Sequence, residues 1–205
     1  MSRPRSRDWL KRHDADPFVR QSRAQGYRAR SVYKLIELDE KLKIFRRGGY
    51  VLDLGAAPGS WSQYAASRVT GSGKVVAVDR LPIAPISGVS IIQADICAPD
   101  IIETLGLELA ERKVDVLISD MAPDITGISV ADAAAFSEIA DAVRDLSRTM
   151  LILGGIMVFK VFEGLESQAI AKEFSTSFTA LRRYKPKASL GRSRELYFIG
   201  SGFRL

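Results

Sequence analysis

Five residues carry the chemical interest of this chain. Asp53, Asp79, Asp95 and Asp120 each stand at or just beyond the C-terminal end of a short apolar run. The fifth, Lys160, sits inside Ile156-Met157-Val158-Phe159-Lys160-Val161-Phe162, where a strand should be buried. A lysine there is costly unless it reaches solvent along its stem or meets a carboxylate. The functional reading puts its amine in a crevice beside Asp120; the plain one is a strand-end lysine reaching water. An amine held among carboxylates can take a proton or stabilise a developing oxyanion.

The strongest local signal is Val51-Leu52-Asp53-Leu54-Gly55-Ala56-Ala57-Pro58-Gly59-Ser60-Trp61, a strand running through a glycine-containing loop into a helix. Glycines let the backbone approach a ligand, and a helix N-terminus favours a carboxylate or phosphate. The dinucleotide fingerprint G-x-G-x-x-G is absent, and Pro58 removes an amide that a pyrophosphate would need, so a nicotinamide dinucleotide is disfavoured. Asp79 lies 24 residues beyond Gly55, where a carboxylate accepts both hydroxyls of a ribose. Asp95 is placed to accept from an adenine exocyclic amine. Ribose, adenine and a carboxylate-bearing tail describe S-adenosylmethionine better than a dinucleotide. Any single strand-end Asp has a capping or turn role as its ordinary alternative; three in order favour the ligand. The candidate cofactor-binding residues are Asp53, Gly55, Pro58, Gly59, Trp61, Asp79, Asp95 and Asp120.

Alternating elements must position these groups. Strands are predicted at Tyr50–Leu54, Lys74–Asp79, Val89–Ala94, Val114–Ser119, Gly155–Val161, Thr179–Tyr184 and Glu195–Gly200, with helices at Ser31–Leu42, Ser62–Val69, Asp100–Ala110, Ser129–Leu151 and Ser167–Phe178. Phe136, Ile139, Val143, Leu146 and Met150 mark the buried face of the longest helix. Strands alternating with helices imply a mostly parallel sheet covered on both faces, with ligands outside the strands' carboxyl ends. The four strand-end carboxylates are therefore expected to face one crevice. The last two strands are close enough in sequence to form an antiparallel hairpin. The fold class is α/β: a Rossmann-like seven-stranded, mostly parallel sheet with an antiparallel last strand.

The chain has 205 residues, 46% of them hydrophobic and 26% charged, which suits one ordinary globular domain. Its longest apolar run, Leu151 to Phe159, is too short to span a bilayer, and the basic N-terminus leads into no apolar stretch of a signal peptide. The single Cys97 excludes an internal disulfide framework or a cysteine zinc site; it reads as a small buried apolar residue, and a reducing cytoplasm is expected. The formal net charge of +6 is uneven: residues 1–34 carry +7 and the rest −1. A second basic cluster comprises Arg182, Arg183, Lys185, Lys187, Arg192 and Arg194. Such asymmetry points to a polyanion, most often nucleic acid, against the plainer reading of a solvated tail. Residues 1–30 are read as a basic arm and 31–205 as one domain. No metal is required, and His13 in the arm is read as RNA-facing or solvated.

The fourth strand ends Ser119-Asp120-Met121-Ala122-Pro123. This is not the Asp/Asn-Pro-Pro-aromatic motif of base-amine methylation, and no cysteine is placed for cytosine C5 chemistry. The chain instead resembles the FtsJ/RrmJ family of RNA ribose 2′-O-methyltransferases. The shared blocks are Tyr27-Arg28-Ala29-Arg30-Ser31-Val32-Tyr33-Lys34-Leu35, Asp53 to Gly59, Asp120 to Pro123, Lys160-Val161-Phe162 and Ser193-Arg194-Glu195. They span nearly the whole chain. The resemblance implies a catalytic Lys-Asp-Lys-Glu tetrad at Lys34, Asp120, Lys160 and Glu195, with S-adenosylmethionine as cofactor. It also implies a substrate uridine in the A loop of large-subunit rRNA. Ser60 and Asp124 depart from the family pattern, where glycine and asparagine are common.

A ribose 2′-hydroxyl is a poor nucleophile, so a positioned group must take its proton or stabilise the alkoxide as the oxygen attacks the methyl. The resemblance makes Lys160 central, either as general base or as the cation that lowers the hydroxyl's pKa. Arg20, Arg23, Arg28 and Arg30, with Arg192 and Arg194, are expected to contact phosphates. Tyr27 and Tyr33 are candidates for base stacking, Tyr33 equally for helix packing. A tRNA ribose methyltransferase and a non-catalytic RNA-binding assembly factor are the rival readings, and a monomer is expected.

Overall fold

A computed structural model describes residues 15–123, 129–191 and 193–205. His13, Asp124 and Arg192 lie outside them. Seven strands form one sheet: β1 (Tyr50–Leu54), β2 (Lys74–Asp79), β3 (Val89–Gln93), β4 (Val114–Ser119), β5 (Leu151–Phe162), β6 (Phe178–Tyr184) and β7 (Glu195–Phe203), in the order β3-β2-β1-β4-β5-β7-β6. β1 to β5 pair in parallel, whereas β7 runs antiparallel to both β5 and β6. The sheet is thus the expected Rossmann-like one. The chain leaves β1 toward β2 and β3, then returns to β4 on β1's other side. The crevice at that switch point opens between the carboxyl ends of β1 and β4.

The described helices are α1 (Pro17–Ala24), α2 (Val32–Leu42), α3 (Ser60–Arg68), α4 (Ile101–Glu108), α5 (Ser129–Met150) and α6 (Leu165–Ser177). Strand alternation divides the core between two faces. Val51, Val75, Val116, Ile118, Val158, Tyr197 and Ile199 meet α2 and α3, while Leu52, Val76, Leu117, Met157, Phe159 and Phe198 meet α4, α5 and α6. None of the helices in the described residues is long and apolar enough to cross a membrane.

Three local features differ from expectation. α1 falls in the predicted basic arm: Asp16 caps it by accepting from the Phe18 amide at 2.8 Å, and Val19 is buried. From residue 15 onward, the described part of that arm therefore lies against the domain. β5 begins at Leu151 rather than Gly155, with a register shift against β4 and exposed Leu153 where Gly154 takes φ +80°. Cys97 is exposed, not buried. Its amide donates to Asp95 at 2.9 Å in a tight turn, which leaves Ile96 to enter the core instead.

α2 carries Lys34 and is fixed from its far end. Asp39 is buried and accepts from the Phe45 amide at 3.1 Å, the Tyr64 hydroxyl at 2.8 Å and the Arg68 guanidinium at 3.0 Å. Removing that carboxylate strands a buried amide and a buried hydroxyl. Asp39→Ala is expected to lower stability by on the order of 2–4 kcal/mol, read as a lower urea midpoint with an unchanged m-value.

Candidate active site

Glycine at position 55 lets the β1 and β4 ends converge. It has φ +70°, and a Cβ there would fall 1.8 Å from Cγ of Met121, so the segment after β4 crosses directly over it. Gly59 (φ +103°) precedes α3, and a Cβ there would fall 2.5 Å from Cδ1 of Ile86. The loop between Gly55 and Gly59 is therefore folded tightly under the segment that follows Asp79. Asp79 bridges the two stretches, accepting from the Ala57 amide and the Leu81 amide, each at 2.8 Å.

The strand-end carboxylates do not share one role. Asp79 and Asp120 are partly buried at the crevice, and Asp95 is exposed at its rim with Arg80 3.9 Å away. Asp53, expected in the crevice, lies beneath it: it is 1% exposed and accepts from the Ser62 hydroxyl at 2.5 Å under the first turn of α3. An alternating strand sends residue 53 to the α3 side, and the helix closes over it. Trp61 is likewise packed inward. Its indole N–H donates to the Ser31 carbonyl at 2.9 Å, and its ring lies 5.8 Å from that of Tyr197. Only the backbone of residue 61, in the first turn of α3, remains suited to a ligand.

Lys34, Asp120, Lys160 and Glu195 come together on the α2 side of the sheet. Lys160 is 8% exposed. Its ammonium donates to the Asp120 carbonyl and lies 3.2 Å from Asp120 Oδ1. Lys34 reaches from α2 to Glu195 Oε1 at 2.7 Å. Pairing sets the placement: Lys160 is the register partner of Tyr197 and Phe162 that of Glu195, so Lys160, Tyr197 and Glu195 share a face. Burial pushes the Glu195 carboxyl up, but the Lys34 ammonium and the charge of Lys160 outweigh it and leave it below the usual range.

Tyr197 joins the two ion pairs and was not singled out by sequence reasoning. Its hydroxyl donates to Asp120 Oδ1 at 2.6 Å, and the Lys34 ammonium lies 5.9 Å from its ring centroid. Burial, then the neighbouring Asp120 carboxylate, holds the phenol well above its ordinary pKa, so it stays a donor. Its position two residues beyond Glu195 on a strand was the available signal. Two cations and two anions make a formally neutral cluster that a neutral hydroxyl can enter without burying net charge.

The expected phosphate contacts have diverse surroundings. Arg20 is exposed on α1 with the Ala15 carbonyl 3.4 Å away, and Arg23 is exposed one turn on. Arg30 bridges Asp16 and the Ala188 carbonyl, both at 2.5 Å. Arg28 donates to the carbonyls of Pro58, Ala84 and Pro85. Exposed Arg194 donates to the Glu163 carbonyl. Tyr33 is a packing residue: it is buried against Phe18 and Tyr27, and its hydroxyl donates to Gln25 at 2.9 Å.

Burial, opposed by the Ser62 hydroxyl and reinforced by the charges of Asp120 and Asp79, pushes the Asp53 carboxyl up to about 7. The folded protein thus holds this proton more tightly than the unfolded chain does. The stability it contributes is present in full below the unfolded carboxylate pKa and is lost as pH rises toward about 7. Asp53→Asn is expected to remove that loss. Its melting temperature relative to the parent should rise between pH 5 and pH 8, measured by thermal denaturation across that range.

Residues 27–203 match the family model described as FtsJ-like methyltransferase. The Ribosomal RNA large subunit methyltransferase E of Methylobacillus flagellatus is 42% identical over 198 residues, which cover 97% of this chain and 96% of the relative. Among solved structures, a Plasmodium falciparum protein described as a ribosomal RNA methyltransferase superposes with a TM-score of 0.78 at 27% identity, covering 86% of this chain and 98% of that one. Aeropyrum pernix fibrillarin, crystallised with natively bound S-adenosyl-L-methionine, shares the fold at 17% identity and a TM-score of 0.59, over 85% of this chain and 75% of that one. With its glycine-floored crevice and its Lys34, Asp120, Lys160 and Glu195 cluster, the chain belongs to the FtsJ-like methyltransferase family.

Proposed function

We propose that this protein transfers the methyl group of S-adenosylmethionine to a ribose 2′-hydroxyl of large-subunit rRNA, at a uridine of the A loop, acting as a cytoplasmic monomer. The observation that carries this reading is the buried Lys160–Asp120 pair set beside the Lys34–Glu195 pair. A cofactor-binding domain without chemistry to perform has no need of a lysine held between strands. The name shared by the relatives favours a large-subunit rRNA over a tRNA substrate.

The crevice fits the cofactor. The Gly55–Gly59 loop and the first turn of α3 suit its carboxylate tail, Asp79 its ribose hydroxyls and Asp95 its adenine amine. When bound, S-adenosylmethionine supplies an electrophilic methyl on a sulfonium. The Asp120 carbonyl accepts an N–H of Lys160 and its carboxylate lies 3.2 Å from the same Nζ, so the amine is anchored and a remaining valence is left for the substrate. As a lone pair, that valence takes the 2′-hydroxyl proton; as a third N–H, it stabilises the developing alkoxide. Tyr197 holds Asp120, and Lys34 holds Glu195. Exposed Arg20, Arg23 and Arg194 are the proposed phosphate contacts.

The test is methyl transfer from labelled S-adenosylmethionine to undermethylated large subunits, naked rRNA and tRNA, with the modified atom mapped. Label on a subunit ribose 2′-oxygen is expected. Label confined to tRNA would overturn the substrate, and cofactor binding without transfer would favour an assembly factor. Lys160→Ala is expected to slow transfer by about 10²–10⁴-fold. Lys160→Arg separates the two roles, since a guanidinium cannot act as base at neutral pH but can stabilise an oxyanion. Substantial recovery in Lys160→Arg marks the cationic role, and a loss equal to that of Lys160→Ala marks the base.

A further inference from the structure

Arg28 lies in the most basic part of the chain, yet it faces the protein's own backbone. Its Nη1 donates to the Pro58 carbonyl at 2.9 Å and to the Ala84 carbonyl at 2.7 Å, and its Nη2 donates to the Pro85 carbonyl at 2.8 Å. Pro58 belongs to the loop between Gly55 and Gly59, and Ala84 and Pro85 to the segment after Asp79. One planar guanidinium therefore ties together the same two stretches that Asp79 bridges. Gly59 sits between them, and a Cβ there would lie 3.0 Å from Nη1 of Arg28 and 2.5 Å from Cδ1 of Ile86.

The same stretch of chain is sewn to the first turns of α3. The Arg28 amide donates to Gln63 Oε1 at 3.0 Å, and Gln63 Nε2 donates to the Gly26 carbonyl at 3.1 Å. The Ser31 and Ser60 hydroxyls are 3.1 Å apart, and Trp61 donates to the Ser31 carbonyl. Three residues beyond Ser31 stands Lys34. The segment that delivers Lys34 is thus joined to the proposed cofactor loop by side chains on both partners.

We infer that Arg28 is a positioning residue that clamps the two halves of the cofactor cradle and locks them to the segment carrying Lys34, and that it is not a phosphate contact. The inference rests on the proposed cofactor reading and deepens it. A forked, planar donor matches three carbonyls presented by two loops. A lysine at the same place keeps the charge but offers a single point donor. A phosphate contact has the opposite requirement, since it is served by charge and tolerates lysine.

The test measures S-adenosylmethionine binding by calorimetry, and the salt dependence of RNA binding, for the parent, Arg28→Ala, Arg28→Lys and Gln63→Ala. The clamp predicts that Arg28→Ala and Arg28→Lys both weaken cofactor binding by about tenfold or more. Gln63→Ala should weaken it in the same direction, by less. In every variant the slope of log K against log salt should match the parent. A phosphate contact predicts unchanged cofactor affinity, a slope reduced by about one in Arg28→Ala, and recovery in Arg28→Lys, and that result overturns the inference. Melting temperatures without cofactor identify a variant that fails to fold, in which case Gln63→Ala decides: unchanged cofactor affinity there counts against the clamp. Cofactor binding by the parent tests the underlying reading separately, because its absence refutes the cofactor assignment itself.

Discussion

A lysine on a buried strand that does not reach water needs an acidic partner, and that requirement organises the centre of this molecule. Lys160 follows Val158 on the face of β5 that α2 and α3 cover, and it is 8% exposed. Leaving an ammonium there unpaired would cost several kcal/mol. Asp120 meets it from the end of the neighbouring strand with both backbone and side-chain oxygens. That meeting requires β4 to end where it does and the following segment to turn across β1, which Gly55 allows by having no side chain in the path of Met121. Tyr197 then caps Asp120 from the antiparallel strand, and Lys34 closes the group from α2.

The antiparallel β7 is central to this arrangement. Its direction brings its first residues, Glu195 and Tyr197, to the same end of the sheet as the last residues of β4 and β5. A parallel strand in that place would have brought its final residues there instead. In the proposed reading the cofactor side is built from β1, β2 and the loops after them, and the acceptor side from β5, β7 and α2. Asp120 then belongs to both, and donor and acceptor chemistry meet at one residue on the switch point of the sheet.

Much of this was legible in the sequence, for physical reasons. β1, β2 and β4 have the limits that their apolar runs predict, because burial on both faces leaves little freedom. The family blocks single out Lys34, Asp120, Lys160 and Glu195, which the structure brings together as two ion pairs, and the apolar neighbours of Lys160 mark it as an anomaly. What escaped were contacts between elements distant in the chain. Asp53 resembles the other strand-end carboxylates in sequence, and only the closure of α3 over it buries it. Tyr197 became significant only when the β5–β7 register placed it opposite Lys160. Arg28 resembles its basic neighbours, and its three carbonyl partners lie 30 to 57 residues away. Cys97 lies at the surface because the turn that Asp95 closes after β3 sends Ile96 into the core instead.

If Lys160 and Asp120 work as one unit, their losses should not multiply. Single-turnover methyl transfer to undermethylated large subunits, compared for the parent, Lys160→Ala, Asp120→Ala and the double variant, measures this directly. The double variant is expected to be no more than roughly threefold slower than the slower single variant, as for residues that act together. Rate losses that multiply across the two substitutions would contradict it, as would a parent protein that transfers no methyl group.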